Sequence, residues 1–250
     1  MTFPKIYKFK YYMKRERRKK LTNIAQILSE SYTKDEFLHK LKDISERDIK
    51  AIERRTRDQS KNPDWFYYRQ AVITGTLARR ISLSVKKGEG CNYKINAAIS
   101  KIDCQQLYYP AIRYGRDNES NAIQAFIKIM QPRHTNLEVH FKGLQLDKTI
   151  PFIGASIDGW VICQCCPEAR VIEVKCPYSI RESSVSIDGI NLPYLDENLD
   201  LRVNHQYYSQ IQTYLGVYNC SKAYFAVWTP RDLLIREIHF DKKTMGRDER

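Results

Sequence analysis

The sequence predicts a mixed α/β chain of the α+β kind, in which helices flank a mixed central sheet and a helical extension precedes it. Three observations carry this prediction. No glycine occurs from residue 1 to 74, and Leu38, Leu41, Ile44, Ile49 and Ile52 recur among Lys, Glu and Arg in a helix-like pattern up to about residue 60. Four strand-like runs then follow between residues 137 and 176, divided by Gly, Asp and Pro. A helix at about Asn204–Val217 and a strand at Lys222–Thr229, stopped by Pro230, complete the series.

Taken in order, residues 1–60 read as a basic, helical N-terminal extension, 61–241 as the main domain and 242–250 as a charged tail. Trp65, Phe66, Tyr67 and Tyr68 lead to Arg69, and the apolar run Ala71–Ile73 ends at Thr74-Gly75-Thr76. This predicts a helix, a turn and a second helix through Ile81, with a loop at Gly88–Gly90. The next helix is expected to start near Asn118. Asp117 or Asn118 would cap it, Glu119 would lie in its first turn, and Ala122, Ile123, Phe126 and Met130 would form its apolar stripe. Strands are expected at Leu137–Phe141, Phe152–Ile157, Trp160–Cys163 and Arg170–Cys176.

At 42% hydrophobic and 28% charged residues, the 250-residue chain has a globular composition, neither collagen-like nor disordered. Its formal charge of +13 makes a polyanion the first partner to test. Residues 1–20 hold nine Lys/Arg and one acid, a net +8, so the other 230 residues carry +5. The basic block reads as a nuclear-localisation signal or nucleic-acid arm, and equally as a solvated tail. Apolar runs such as Ala223–Trp228 are far shorter than the ~18–20 residues of a membrane span, and residues 1–20 lack a signal-peptide core. A soluble intracellular protein with no membrane partner, possible in the nucleus, is therefore expected. Seven cysteines, an odd number, argue for reduced thiols over a secreted disulfide framework.

The chemistry concentrates in Gly154-Ala155-Ser156-Ile157-Asp158-Gly159 and Val171-Ile172-Glu173-Val174-Lys175-Cys176-Pro177. In a strand, Glu173 and Lys175 project from one face while Ile172, Val174 and Cys176 pack on the other. Asp158 and Glu173 are 15 positions apart, enough for a hairpin that joins the two carboxylates. Together with the Val174 main-chain carbonyl they offer a Mg²⁺ ion its protein oxygens. Lys175 would lie where it stabilises an attacking hydroxide and the charge developing on phosphorus. An isolated Glu-x-Lys is more often an ordinary surface pair; here its specificity comes from the Asp-Gly before it, the early-helix Glu119 and the later Gln210-Ile211-Gln212.

From about Trp65 to Thr229 the sequence resembles the YqaJ-type viral recombinase and lambda-exonuclease-like family of PD-(D/E)XK nucleases. The matching motifs are Trp65…Arg69…Ile73-Thr74-Gly75-Thr76, Gly115…Asn118-Glu119…Ala122, Gly154…Ser156-Ile157-Asp158-Gly159, Glu173-Val174-Lys175-Cys176-Pro177…Arg181 and His205…Tyr208…Gln210-Ile211-Gln212. The resemblance implies a restriction-endonuclease-like core over 61–241. It implies metal binding (Mg²⁺, or Mn²⁺ in its place) by Asp158, Glu173 and the Val174 carbonyl, with Glu119 completing the acidic cluster. Lys175 matches the catalytic lysine and Gln210 the helix-borne polar residue beside the water. Arg69, Thr76, Ser156 and Arg181 match positions that cradle a DNA 5′-phosphate or nearby backbone. Ile157 stands where the family usually has proline, and Thr76 where serine is more usual. The implied activity is 5′-to-3′ exonucleolytic hydrolysis of double-stranded DNA ends to 5′-phosphate products in recombination or repair. A ring-shaped homo-oligomer and a single-strand-annealing partner are implied as well.

Two other functions stay open. An endonuclease or junction resolvase would share the same chemistry, and a non-catalytic DNA-binding module on a decayed nuclease fold would use the basic head with Arg69 and Arg181. The intact set Glu119, Asp158, Glu173, Lys175 and Gln210 weighs against the latter. Each residue also has a plain structural alternative: Glu119 can complement a helix dipole, Gln210 can be a surface glutamine, and the arginines can be surface cations. Gln206, Gln210 and Thr213 nevertheless share one face of the predicted helix, with Tyr207, Ile211, Tyr214 and Leu215 on another. Cys163, Cys165 and Cys166 could bind Zn²⁺ with a distant fourth ligand such as Cys91, Cys104 or a His. Their spacing matches no standard pair of ligand couples, so reduced cysteines in a β-turn are the expectation. Cys176 is expected in the core, and Tyr207 and Tyr208 as packing groups.

Overall fold

The computed structural model describes residues 21–88, 109–188 and 191–242. Its helices are α1 (Ile24–Ser29), α2 (Lys34–Leu41), α3 (Glu46–Arg55) and α4 (Pro63–Tyr68), followed by β1 (Ile73–Thr74) and α5 (Gly75–Lys86). Next come α6 (Pro110–Met130), β2 (Glu138–His140), β3 (Gln145–Leu146), β4 (Ile153–Ala155), β5 (Gly159–Ile162) and β6 (Arg170–Lys175). The chain continues through α7 (Gln206–Tyr218), β7 (Lys222–Trp228) and β8 (Leu233–His239).

Local chemistry explains the first helices. Asn23 and Thr33 accept hydrogen bonds from the backbone N–H groups of Gln26 and Glu36, and Ser45 and Asp48 form a reciprocal capping box. These helices pack through Ile24, Ile27, Leu41, Ile49 and Ile52 onto Trp65, Tyr68, Val72, Leu144 and Leu146. The extension thus shares one apolar cluster with a small sheet of order β1-β4-β3.

The larger sheet has the order β2-β5-β6-β7-β8. Only β6 and β7 run parallel within it, which requires a crossover, and α7 supplies one. Helix α6 covers one face, with Ala122, Ile123, Phe126 and Met130 against Val161, Ile172, Val174, Tyr224 and Ala226. Helix α7 covers the other, with Ile211, Tyr214 and Leu215 against Val171, Ala223, Phe225 and Val227. Phe126 and Phe225 are both fully buried, and truncating either to alanine costs about 3–5 kcal/mol. The strand alternation sends Ile172, Val174 and Cys176 to the α6 side, as the period of two requires.

The structure departs from these expectations in four places. The helix expected near Asn118 begins eight residues earlier with Pro110 in its first turn, where the missing N–H costs nothing. Asn118 does not cap it, because its side-chain amide donates back to the Tyr114 carbonyl at 2.9 Å. Helix α5 runs past Ile81 to Lys86. Strand β8, which sequence reading left unassigned, pairs antiparallel with β7 over its full length, from Lys222↔His239 to Trp228↔Leu233. The basic block at residues 1–20, the part of the expected loop at Glu89 and Gly90, the candidate ligands Cys91 and Cys104, and the tail from 243 to 250 lie outside the described residues.

Candidate active site

Strand pairing brings the acids together. Gly159 is registered with Ile172 in the β5–β6 hairpin, so Asp158 and Glu173 lie at the same end of it. Asp158 ties this open end of the hairpin together by accepting a 2.7 Å hydrogen bond from the Val174 backbone N–H. Glu173 is 2% exposed and holds Lys175 Nζ through Oε1 at 2.5 Å. From α7, Gln210 donates its Nε2–H to the same Glu173 oxygen at 2.8 Å and also to the Tyr214 hydroxyl. Gly75, at the start of α5, makes this placement possible: a Cβ there would lie 2.9 Å from the Gln210 backbone.

Arg69, Thr76, Glu119, Ser156, Asp158, Glu173, Val174, Lys175 and Gln210 all line one cavity of about 200 Å³. Arg181 does not. Its guanidinium lies over the Tyr178 ring, donates to the Tyr178 carbonyl and pairs with Glu182, at the edge of an adjoining groove of about 890 Å³ that Tyr178 lines. Gln206, expected on the polar face of α7, is exposed, whereas Gln210 and Thr213 are buried. Glu119 sits in the third turn of α6, not its first, so its position owes nothing to the helix N-terminus. It reaches the site because α6 packs across the sheet beside Val174.

The electrostatics are those of crowded acids. Burial first, then Glu173 and Glu119, pushes the Asp158 carboxyl well above its ordinary value. Burial and the Glu173 carboxylate raise Glu119 to about 7, with Lys175 opposing; the groove side of this residue remains open to solvent. Burial alone would lower the Lys175 ammonium, but Glu173 and Asp158 more than offset it and hold the pKa above the usual lysine value. Lys175 also lies 4.4 Å from the Tyr207 ring centroid, a role beyond the packing expected of Tyr207. Glu173 Oε2 and Gln210 Oε1 are buried with no hydrogen-bond partner, a cost of about 1–3 kcal/mol per atom. Three converging carboxylates, one with an orphaned buried oxygen, fit a divalent cation with oxygen ligands.

A second half of the cavity suits an anion. Arg69 stacks 4.3 Å from the Trp65 ring centroid and donates to Thr74 Oγ1 at 3.2 Å, while Thr74 and Thr76 share a 3.1 Å hydroxyl contact. Trp65 Nε1 donates to Ser156 Oγ at 2.8 Å. Among the described residues no carboxylate forms an ion pair with Arg69. Sequence reading did not assign Thr74, Tyr214 or Gln59 to the site. Gln59 donates to the carbonyls of Lys142 and Ile157 from a backbone at φ +44°, which anchors the segment leading into Asp158. Thr74 was legible as part of Thr74-Gly75-Thr76; Gln59 left no local signal.

Fold and site together define a lambda-exonuclease-like nuclease fold. The YqaJ-like viral recombinase domain matches residues 64–221, and the chain belongs to that family. Among solved structures, LHK-Exo in complex with dAMP, an alkaline exonuclease from Laribacter hongkongensis, is 21% identical with a TM-score of 0.51, covering 73% of this chain and 85% of its own. A SOX RNA complex from the Kaposi's sarcoma herpesvirus KSHV is 12% identical with a TM-score of 0.54, over 84% of this chain and 72% of that one. A SOX–DNA complex is 13% identical at TM-score 0.53, over 84% and 69% respectively. These likenesses concern the fold. No curated protein matches the chain in sequence. No helix among the described residues is long and apolar enough to cross a membrane.

Proposed function

We propose that the protein is a divalent-metal-dependent DNA nuclease, acting 5′ to 3′ on double-stranded ends and leaving 5′-phosphates, in recombination or repair. The observation that carries this is the buried, unpartnered Glu173 oxygen beside Asp158 and Lys175, in the same cavity as Arg69, which has no acidic partner among the described residues. Asp158, Glu173, the Val174 carbonyl and Glu119 would hold Mg²⁺, or Mn²⁺. When bound, the ion supplies an activated water and neutralises charge on the phosphate. Lys175, fixed by Glu173 and Tyr207, presents a cation to the developing phosphate charge. Gln210 holds Glu173 in place and has a free acceptor oxygen to orient water. Arg69, Thr76 and Ser156 would receive the 5′-phosphate, since a guanidinium braced on an aromatic ring needs an anion to complete it. Lys61 and Arg116 line the adjoining groove, and such cations suit a phosphate backbone.

The proposed partner is double-stranded DNA. By resemblance, a homo-oligomer and a single-strand-annealing protein complete the setting, and the basic head fits a nuclear location. The test uses the purified chain with Mg²⁺ and a 5′-phosphorylated linear duplex. Mononucleotides should accumulate and disappear in Lys175→Ala and Asp158→Ala; activity persisting in both would overturn the assignment. Cleavage of a closed circular duplex would instead establish an endonuclease.

A further inference from the structure

The thiols expected to sit reduced in a β-turn have a fourth companion. His134 follows the 3₁₀ turn Gln131–Arg133 at the end of α6, and the antiparallel β2–β5 pairing carries it to the turn after β5. Its Nδ1 lies 3.4 Å from Cys163 Sγ, 3.4 Å from Cys165 Sγ and 3.5 Å from Cys166 Sγ, and the sulfurs of Cys163 and Cys165 are 3.6 Å apart. All four ligand atoms fall within 4.8 Å of one another. Tetrahedral zinc, with sulfur at about 2.3 Å and nitrogen at about 2.0–2.1 Å, requires S···N edges of about 3.5 Å and S···S edges of about 3.8 Å. The three S···N distances and the Cys163–Cys165 S···S distance agree with those edges, and the remaining pairs lie within 4.8 Å. The three cysteines are free thiols, so no disulfide competes for them.

We propose that His134, Cys163, Cys165 and Cys166 form a closed structural zinc site, separate from the acidic cavity. Three soft sulfurs and an imidazole select zinc over the hard, oxygen-seeking Mg²⁺. The set already provides four ligands, which leaves no position for substrate and makes the role structural. The surroundings suit a thiolate cluster. The Thr135 backbone N–H points at Cys165 Sγ at 3.4 Å, and the Gln164 N–H binds the Thr135 carbonyl at 2.9 Å, tying the two ligand-bearing segments together.

The site also explains how a weak edge is held. Strand β2 is only three residues long and forms one edge of the five-stranded sheet. A metal joining the segment before it to the β5–β6 turn would fix that edge and the C-terminal end of α6. Asp158 and Cys163 flank β5 at opposite ends, so the zinc would close the hairpin at the end away from the acids.

The test is metal analysis of the full-length protein purified under reducing conditions, washed with EDTA to remove loosely held Mg²⁺, and passed through gel filtration. About one zinc per chain is expected, retained by Asp158→Asn and lost from Cys165→Ser/Cys166→Ser. Replacing zinc by Co²⁺ should give thiolate charge-transfer and tetrahedral ligand-field absorption, a measurement on the unaltered sequence that does not depend on any variant folding. Zinc removal should lower the melting temperature and speed amide exchange in residues 134–140 and 159–170. A wild-type protein that takes up neither Zn²⁺ nor Co²⁺ while its thiols are reduced would overturn the proposal, as would full zinc content in the double variant. Neither result bears on the nuclease assignment, which the Asp158 and Lys175 variants test separately.

Discussion

Gln210 donates to Glu173 across 2.8 Å, joining α7, which covers one face of the sheet, to the strand that carries the acid and the lysine. The bond fixes one carboxylate oxygen and leaves the other free in the cavity. Gln210→Ala should therefore keep the fold and reduce activity by about 10- to 100-fold, the usual loss when a partner that orients a metal-binding carboxylate is removed. Single-turnover rates beside DNA-binding titrations would separate this from a loss of affinity. Gln210→Glu should be worse, since it adds a further carboxylate to a cavity already crowded with acids.

Lys175 is the cation in direct contact with Glu173. Its removal in Lys175→Met leaves buried acids without a counter-charge, and breaking such a pair costs about 3–5 kcal/mol. Thermal denaturation without added divalent ions should show that loss, and Mg²⁺ should recover part of it. Turnover should stay abolished in Mg²⁺. DNA affinity should remain within a few-fold of the parent, because the groove cations are untouched.

The acid cluster sets an unusual pH dependence. Glu119 rises from its ordinary 4.5 to about 7, and Asp158 also titrates high, chiefly through burial and then through Glu173. Folding therefore takes up protons. The stability from this uptake is fully present below the unfolded value and is lost as pH rises through the folded one. Without added divalent ions, the melting temperature should fall between about pH 4.5 and 7 on account of Glu119. Mg²⁺ should flatten that slope by replacing the protons, and each kcal/mol regained is worth about 2–4 °C in a chain of this size. Glu119→Gln should show a shallower slope than the parent; an equal slope would remove Glu119 from the cluster.

What was legible in the sequence follows from how far each signal reaches. Glu173 and Lys175 sit on one strand whose period of two puts them on one face, and Asp158 immediately precedes the strand paired with it, so local pattern was enough. The start of α6 was misplaced because Asp117-Asn118-Glu119 imitates a cap; Pro110, a helix-starting residue, carries the true signal. Strand β8 went unread because Leu233–His239 interleaves Arg236 and Glu237 with its apolar residues, and its pairing with β7 becomes visible only in three dimensions. His134 and Gln59 owe their positions to contacts 29 or more residues distant in sequence, which no window of local periodicity spans.

Arg69 provides the sharpest test of end recognition. Its guanidinium is stacked on Trp65, bonded to Thr74 and without an acidic partner among the described residues, while Thr76 and Ser156 line the same cavity. A terminal 5′-phosphate is the anion that would complete it, and charge-assisted hydrogen bonds of this kind contribute about 1.5–3 kcal/mol. Arg69→Ala should therefore lower kcat/KM on 5′-phosphorylated duplexes by roughly 10- to 150-fold and leave 5′-hydroxyl duplexes nearly unaffected, which erases the preference between the two ends. Arg69→Lys should rescue little, because an ammonium neither stacks on the indole as a plane nor grips phosphate with two parallel N–H groups. Rates on paired 5′-phosphate and 5′-hydroxyl substrates decide the matter: an Arg69→Ala enzyme that keeps its full preference for the phosphorylated end would place the phosphate elsewhere, with Arg181 at the groove edge as the next cation to vary.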